Sequence, residues 1–272
     1  MQEISRWYKG DDGLPHKKGL RRATGQQSPG RGIHGSDLHS WVRQYQQGVL
    51  ALDESVGKLI KTLKETGQYD NTLILFTADQ GFAWGQHGFR SKVAAYDANI
   101  RCPFIVSMPS QLPSGKTCAS PVSGVDVVPT FFSFAGIDLP WEMHGRDLTP
   151  LFKKPEQAKK RSVLTVFTGR SYGSDTDVIP TDLKELRKVA QVSWYASLHD
   201  GRYKYVRTFE KDEIEELYDL QKDPEELTNL ALLKKHGDRL VKMRGQTIAE
   251  LKRTKAGFVD NLPPTGTDKR VR

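Results

Sequence analysis

Cysteine is scarce: two in 272 residues, too few for a disulfide-stapled scaffold or a zinc ribbon. No uninterrupted apolar run approaches the roughly 18 residues that a membrane span requires, so no spanning helix is expected. The opening MQEISRWYKGDDG has no apolar stretch and does not read as a secretory signal. Acidic charge is the minority sign, 33 Asp and Glu against 41 Lys and Arg, a formal net charge of +8. The excess gathers at Lys17, Lys18, Arg21, Arg22 and Arg31, and again at Lys153, Lys154, Lys159, Lys160 and Arg161. Neither tract is a groove-reading helix or a strand with interleaved aromatics, so no nucleic-acid partner is expected. A basic surface does suit an anionic substrate. What is present is material for a core: 37% hydrophobic residues, with 11 Phe, 9 Tyr and 5 Trp, excludes wholesale disorder. The length allows one large domain or a domain and a half.

Residues 1–36 are punctuated by glycine and proline and develop no apolar period, so an irregular segment is expected there. A loop of that length suggests that the chain begins in the middle of something. Ser36 and Asp37 are good caps for a helix over 38–66. Val42, Tyr45, Val49, Leu52, Val56, Leu59 and Leu63 recur at three- and four-residue steps, one apolar stripe, and Gly67 ends it. Residues 72–77 are an apolar run too short for a helix, read as a strand buried on both faces and hence parallel. A polar, glycine-rich stretch follows from Asp79 to Lys92, then a strand over 103–107 and a helix over 126–135 with Pro129 in its first turn.

The texture changes near residue 161. A strand over 163–167, a polar insertion over 169–187, a hairpin of 193–198 and 202–208 about Asp200-Gly201, and a strand over 216–220 are expected. Asp223-Pro224-Glu225-Glu226 reads as the start of a helix. The sequence therefore divides into the irregular 1–36, an α/β part over 37–155, an α+β part with an antiparallel sheet over 160–254, and a polar, frayed tail over 255–272.

In open α/β sheets, ligands bind beyond the carboxyl ends of the strands, and Asp79 and Gln80 stand at that end of 72–77. A carboxylate beside an amide oxygen is a hard donor pair, suited to Ca²⁺ or Mg²⁺ rather than zinc. As bare patterns, Asp-Gln-Gly is more often a turn, a histidine such as His87 a surface group and a lysine such as Lys92 a solvated one. Their joint occurrence in one loop suits an oxyanion ester, where cation, ammonium and imidazole offset developing charge.

These residues carry a resemblance. Asp70-Asn71-Thr72 through Asp79-Gln80-Gly81, Gly85-Gln86-His87-Gly88, Lys92, Tyr96, Arg101 and Pro103 resemble the second signature block of the sulfatases, within the alkaline phosphatase-like superfamily. Leu52-Asp53 to Gly57, Val125-Asp126 to Thr130, Gly145-Arg146, Asp200-Gly201 to Lys204, Glu216 to Leu220, Asp223-Pro224 and Asn229-Leu230-Ala231 extend it over roughly residues 40–235.

The resemblance implies a partial alkaline phosphatase-like mixed sheet flanked by helices over 37–155, with a smaller α+β C-terminal subdomain. It implies a sulfuric ester hydrolase acting on a sulfated small molecule or glycan. Asp79 and Gln80 match a pair of divalent-metal ligands, Lys92 the lysine on the sulfate group, and His87 a characteristic histidine of the loop. The same superfamily holds phosphodiesterases and phosphonate hydrolases, and a non-catalytic module binding anionic glycans is a further alternative. Family members are often periplasmic, secreted or lysosomal, and the chain itself fixes no compartment.

The family's nucleophile, a cysteine or serine converted to formylglycine within C/S-x-P-x-R, has no counterpart. Cys102-Pro103, Cys118-Ala119-Ser120-Pro121 and Ser107-Met108-Pro109 do not fit, and Gln27-Ser28-Pro29-Gly30-Arg31 has Gln at the reacting position. The expectation is a sulfatase that is truncated, split or given a misplaced start, inactive alone, that needs an N-terminal fragment with the nucleophile and the remaining metal ligands.

Overall fold

The computed structural model describes residues 8–9, 15–16, 38–84, 86–157 and 161–267. Tyr8–Lys9 (β1) and Pro15–His16 (β2) pair antiparallel. The rest of the segment read as irregular, Gln27 to Arg31 included, lies outside the described residues, as do 268–272.

Leu38–Glu65 forms α1. It contains no proline, and its end is set by Gly67 at φ 69°, after which Gln68 N donates to Leu63 O at 2.8 Å across the left-handed turn. The apolar stripe is real but only partly covered by described residues: Val56 and Leu63 are half-buried and Tyr45 meets the Trp84 ring edge-on at 4.9 Å, yet Tyr45, Val49, Leu52 and Leu59 are all about half exposed or more.

Ile74–Thr77 (β3) pairs with Phe104–Ser107 (β6), and between them lie the short pair Ala83–Trp84 (β4) and Arg90–Ser91 (β5) and one helical turn, Asp97–Ile100 (α2). The β3–β6 pair is antiparallel, Leu75 opposite Val106 and Phe76 opposite Ile105, not parallel as expected. Nor is the strand buried on both faces. Leu75, Phe104 and Val106 share a small gap with residues of Val127–Ala135 (α3) and Thr149–Lys153 (α4), while Ile105 faces outward at 60% exposure. A continuous apolar run reports that a strand wants cover, but neither its direction nor how much of that cover lies close by. Gly136 at φ 66° closes α3, as the sequence indicates.

The core lies around a four-stranded antiparallel sheet. Val163–Phe167 (β7), Tyr195–His199 (β8), Tyr203–Thr208 (β9) and Glu216–Asp219 (β10) are ordered β10-β9-β8-β7, and the turn Leu183–Leu186 (α5) lies in the 169–187 insertion. Period-2 alternation gives the sheet two different faces. Ala196, Leu198, Tyr205 and Leu217 pack on one side, with Leu240, Met243 and Leu251 of Gly237–Arg253 (α6) in the same clusters. Each such fully buried leucine contributes roughly 1.5–3 kcal/mol. Tyr195, Val206 and Tyr218 face the other way and pack on Ala94, Ala95 and Tyr96.

Two expectations in this half are corrected. Residues 223–226 do not start a helix: Asp223 accepts from Leu227 N at 3.0 Å and Thr228 N at 2.8 Å, and Glu226 turns left-handed at φ 57°, which breaks helical propagation at once. The segment from 255 to 267 is no frayed tail. Phe258 is buried 5.0 Å from the ring of Phe209, Asp212 N donates to Pro264 O at 2.9 Å, and the Thr267 hydroxyl accepts from Glu215 N at 2.7 Å. One aromatic and a few backbone bonds tie down a stretch whose composition is polar.

Candidate functional site

The loop from 78 to 101 leaves the carboxyl end of β3, spans the sheet face bearing Tyr195 and Tyr218, and returns into β6. Thr77 Oγ1 donates to Pro103 O at 2.8 Å and Cys102 Sγ to Ala78 O at 3.2 Å, so the two ends of the loop are laced together. Gly81 is required there. A Cβ at that position would stand 2.6 Å from Arg101 O and 2.8 Å from Ala98 O, both main-chain atoms. The glycine of Asp-Gln-Gly thus lets the end of α2 approach the turn.

Asp79, Gln80 and Lys92 come together. Asp79 Oδ2 accepts from Lys92 Nζ at 2.5 Å and Oδ1 from Gln80 N at 2.9 Å. The Lys92 hydrogen bond foremost holds the Asp79 carboxyl below its ordinary range. The pair is exposed, with side chains 69% and 37% accessible, so its net stabilisation is at most about 1 kcal/mol. Gln80 Oε1 accepts from Val93 N at 3.1 Å, and Val93 O accepts from the Tyr195 hydroxyl at 3.0 Å. Between these two bonds Val93 sits at φ 76°, a left-handed conformation for a β-branched residue, strained by about 1–3 kcal/mol. The residue next to Lys92 is therefore held in strain from both sides.

His87 lines the same cleft but is anchored elsewhere. Its ring lies flat on Tyr96, centroids 3.8 Å apart, and Nε2 donates to Glu225 O at 2.8 Å. Ten residues on, Asp97 meets the C-terminal sheet. Lys204, 1% exposed, reaches Asp97 Oδ1 at 2.8 Å and Glu226 Oε1 at 2.7 Å, and Asp97 N donates to Glu226 Oε2 at 2.7 Å. Burial pushes the Glu226 carboxyl up to about 7, against the pull of Lys204 and with the push of Asp97. This cluster was not legible beforehand. Its one signal is parity, since Lys204 is in phase with buried Val206 on β9.

A cleft of about 1360 Å³ opens between the loop and the C-terminal sheet, lined by Asp79, Gln80, His87, Arg101, His199 and Lys204 among others. Asp79 and Gln80 offer two hard oxygens toward it. Among the described residues no group of three or more His, Cys, Asp or Glu could hold a metal ion, so these two fit part of a Ca²⁺ shell of about six to eight oxygens rather than a whole one. No described helix is long and apolar enough to cross a membrane.

Residues 9–137 match the family model described as Sulfatase, and residues 85–254 match N-sulphoglucosamine sulphohydrolase, C-terminal. The chain is 29% identical over 207 residues to an N-acetylglucosamine-6-O-sulfatase of Bacteroides thetaiotaomicron, covering 73% of this chain and 34% of that protein. It is 33% identical to a choline-sulfatase of Rhizobium meliloti, covering 70% of this chain and 33% of that one. Among solved structures it resembles a protein held in complex with its substrate D-glucosamine-2-N,6-O-disulfate, with 25% identity and a TM-score of 0.69 over 83% of this chain and 42% of that chain. A phosphonate monoester hydrolase from Silicibacter pomeroyi follows at 27% identity and a TM-score of 0.61, covering 76% of this chain and 40% of that one. The chain spans about a third to a half of the length of the curated relatives it matches.

Proposed function

The chain belongs to the sulfatase family, and we propose that it supplies one metal-ligand pair, the anion-binding lysine and the C-terminal subdomain of a sulfuric ester hydrolase acting on a sulfated small molecule or glycan. The observation that carries this reading is the contact of Lys92 with Asp79, which lines the large cleft together with Gln80. The pair is too exposed to serve stability, and a carboxylate bound to a lysine at a strand's carboxyl end suits handling of an oxyanion. Asp79 and Gln80 would hold Ca²⁺ or Mg²⁺, which when bound supplies charge to offset the ester's oxygens. Lys92 would donate to those oxygens as charge builds on them, and the bond of Gln80 to Val93 fixes the backbone from which Lys92 extends. His87, stacked and bonded to Glu225 O, would wall the cleft with a group whose orientation is fixed on two sides.

No C/S-x-P-x-R is found in the 272 residues, so we propose that turnover needs a further sulfatase segment carrying the nucleophile and the remaining ligands. The exposed apolar stripe of α1 and the outward face of β3 and β6, with Ile105 and Phe76, suit such a segment as cover.

The test is hydrolysis of an aryl sulfate by the chain alone and with an added sulfatase segment bearing the nucleophile motif. Activity is expected only in the second case. Asp79→Ala should abolish metal binding, and Lys92→Ala should leave the metal but slow turnover about 10²–10³-fold by analogy with a lost oxyanion donor. Sulfate release by the chain alone, undiminished in Asp79→Ala, would overturn the assignment. The likeness to a phosphonate monoester hydrolase favours a second reading. Faster turnover of an aryl phosphonate monoester than of the sulfate in the same assay would select it.

A further inference from the structure

Side chains alternate along a strand, so Tyr195, Ser197 and His199 of β8 share one face, and all three line the cleft. Thr165 of β7 lines it too and stands directly opposite Ser197. Tyr195 spends its hydroxyl on Val93 O, but the hydroxyls of Thr165 and Ser197 have no described partner. His199 Nδ1 accepts from Gly201 N at 3.2 Å, which puts the ring proton on Nε2, and Nε2 has no described partner either. From the loop side comes Arg101, whose guanidinium makes no hydrogen bond or ion pair with a described residue. We propose that Arg101, His199, Ser197 and Thr165 form an anion subsite in the cleft. It takes a second oxyanion group, a carboxylate or a sulfate, on a saccharide whose first sulfate lies at Asp79 and Lys92. The placing of the first sulfate rests on the sulfatase reading; the subsite itself does not.

A solvated arginine is ordinary, but Ser197 is 3% exposed, and a hydroxyl so enclosed is normally bonded. Here the donors left unspent converge on one cleft with a cation that has no counter-ion. The acids of the lining do not supply one. Asp79 pairs with Lys92, Asp97 and Glu226 share Lys204, and Glu225 forms no ion pair with Arg101. Asp200, close to His199, is turned to the N–H groups of Arg202 and Tyr203. Arg101 is among the charges that His199 feels, which sets the two donors in one neighbourhood of the cleft. Burial above all lowers the imidazole below its ordinary 6.5, so at pH 7 it is a neutral N–H donor. One guanidinium, one such N–H and two hydroxyls match the charge of a single oxyanion and the several lone pairs on its oxygens.

The subsite keeps a fixed relation to the Asp79–Gln80 pair. Arg101 N donates to Asp97 O at 2.8 Å, and Arg101 O packs against Gly81, where a Cβ would stand 2.6 Å away. Gly81 follows Gln80 directly, so the root of the Arg101 side chain is tied to the turn that holds both oxygens. The cleft has room for a ligand that reaches both places. Its volume of about 1360 Å³ exceeds the roughly 300–1,000 Å³ of a pocket for one small ligand.

The test uses the full chain with ¹³C and ¹⁵N in its histidine rings, titrated at pH 7 with sodium sulfate and separately with sodium acetate, chloride holding the ionic strength. A saturable shift of the His199 ring is expected with at least one salt. Arg101→Met should weaken it about tenfold, the loss of a charge-assisted bond, and Ser197→Ala several-fold. Calorimetry then compares three ligands: a uronosyl-N-acetylgalactosamine 6-sulfate disaccharide, its uronate methyl ester, and that ester with a 2-O-sulfate on the uronosyl ring. The free acid, the 2-O-sulfated ester or both should bind about tenfold tighter than the plain ester, and Arg101→Met should remove the difference. The first outcome names a carboxylate as the second group, the other a sulfate. Lys92→Ala should weaken all three ligands alike and leave the salt titration of His199 untouched. Unchanged binding in Lys92→Ala therefore counts against the sulfatase reading and leaves the subsite standing. No saturable shift with either salt, a wild-type shift retained in both Arg101→Met and Ser197→Ala, or equal binding of the three ligands overturns the subsite.

Discussion

Replacing Tyr195 with Phe removes one oxygen from the structure and tests how the site loop is held. The hydroxyl donates to Val93 O at 3.0 Å, and Gln80 Oε1 accepts from Val93 N at 3.1 Å. Each bond is worth about 0.5–1.5 kcal/mol net. The left-handed backbone of Val93 opposes them with about 1–3 kcal/mol. The two sides nearly balance, so losing one bond should tip the peptide while the sheet beneath stays packed, because Phe fills the same volume as Tyr195. Val93 is half-buried, which keeps the global loss within that range, about 1 kcal/mol, or roughly 2–4 °C in Tm. Locally the change is larger in proportion, with amide exchange at 92–94 rising roughly tenfold for each 1.4 kcal/mol lost. Val93→Gly supplies the control. It relieves the left-handed strain, so Tyr195→Phe should have a smaller local effect in that background. Thermal melts and site-resolved hydrogen exchange measure both. A uniform rise in exchange across the sheet, or equal effects in the wild-type and Val93→Gly backgrounds, would refute the account of a strained peptide held from two sides.

Gly81→Ala drives a methyl group into two carbonyl oxygens of α2 and its end, and should destabilise by about 1–3 kcal/mol in urea titrations. A neutral result would mean that α2 can withdraw freely from the turn. Arg244→Met strands Glu215, which is 1% exposed and also takes the Tyr205 hydroxyl at 2.5 Å, and should cost about 3–5 kcal/mol. Adding Glu215→Leu should recover most of that loss, and failure to recover it would show that the guanidinium packs rather than pairs. For Glu215 in the wild-type chain, burial works to raise the carboxyl, but its bonds to Arg244 and Tyr205 outweigh that and hold it below the ordinary 4.5. Its contribution is therefore present above about 4.5 and lost as pH falls through the folded value, so acid urea titrations should show a loss that Glu215→Gln lacks.

Elements whose apolar pattern is periodic or whose ends carry a glycine turn were legible from residues alone. The stripe from Tyr45 to Leu63 gave α1, Gly67 and Gly136 gave two helix ends, and Asp200-Gly201 gave the β8–β9 turn. The partner of β3 was not legible, because an apolar run carries no information about strand direction. Asp223-Pro224 misled because its capping carboxylate serves a tight turn as well as a helix, and the left-handed Glu226 that decides between them has no mark in the sequence. Of the site, Asp79, Gln80 and Lys92 could be gathered because they are close in sequence on one loop. Glu226 and Lys204 could not, since what makes them special is the loss of water around them. Composition likewise hid the packing of residues 256–267, where one buried phenylalanine and main-chain bonds outweigh a polar stretch.

The contacts that hold the site loop join residues far apart in the chain: 102 between Val93 and Tyr195, 107 between Asp97 and Lys204, and 138 between His87 and Glu225. During synthesis the loop leaves the ribosome well before the strands that will fasten it. At about 5–20 residues per second, His87 waits roughly 7–28 s for Glu225 to be made. Through that interval β3 and the loop can fold against β6, α3 and α4, which are made before Glu225, while the segment that carries Glu225 and Glu226 is still to come. The order of assembly is therefore imposed by translation, with the C-terminal sheet last and the geometry around Lys92 completed by it. A ribosome stalled before residue 195 should present a nascent chain whose loop at 86–100 is open to protease, and one stalled beyond the exit of residue 226 a chain whose loop is closed.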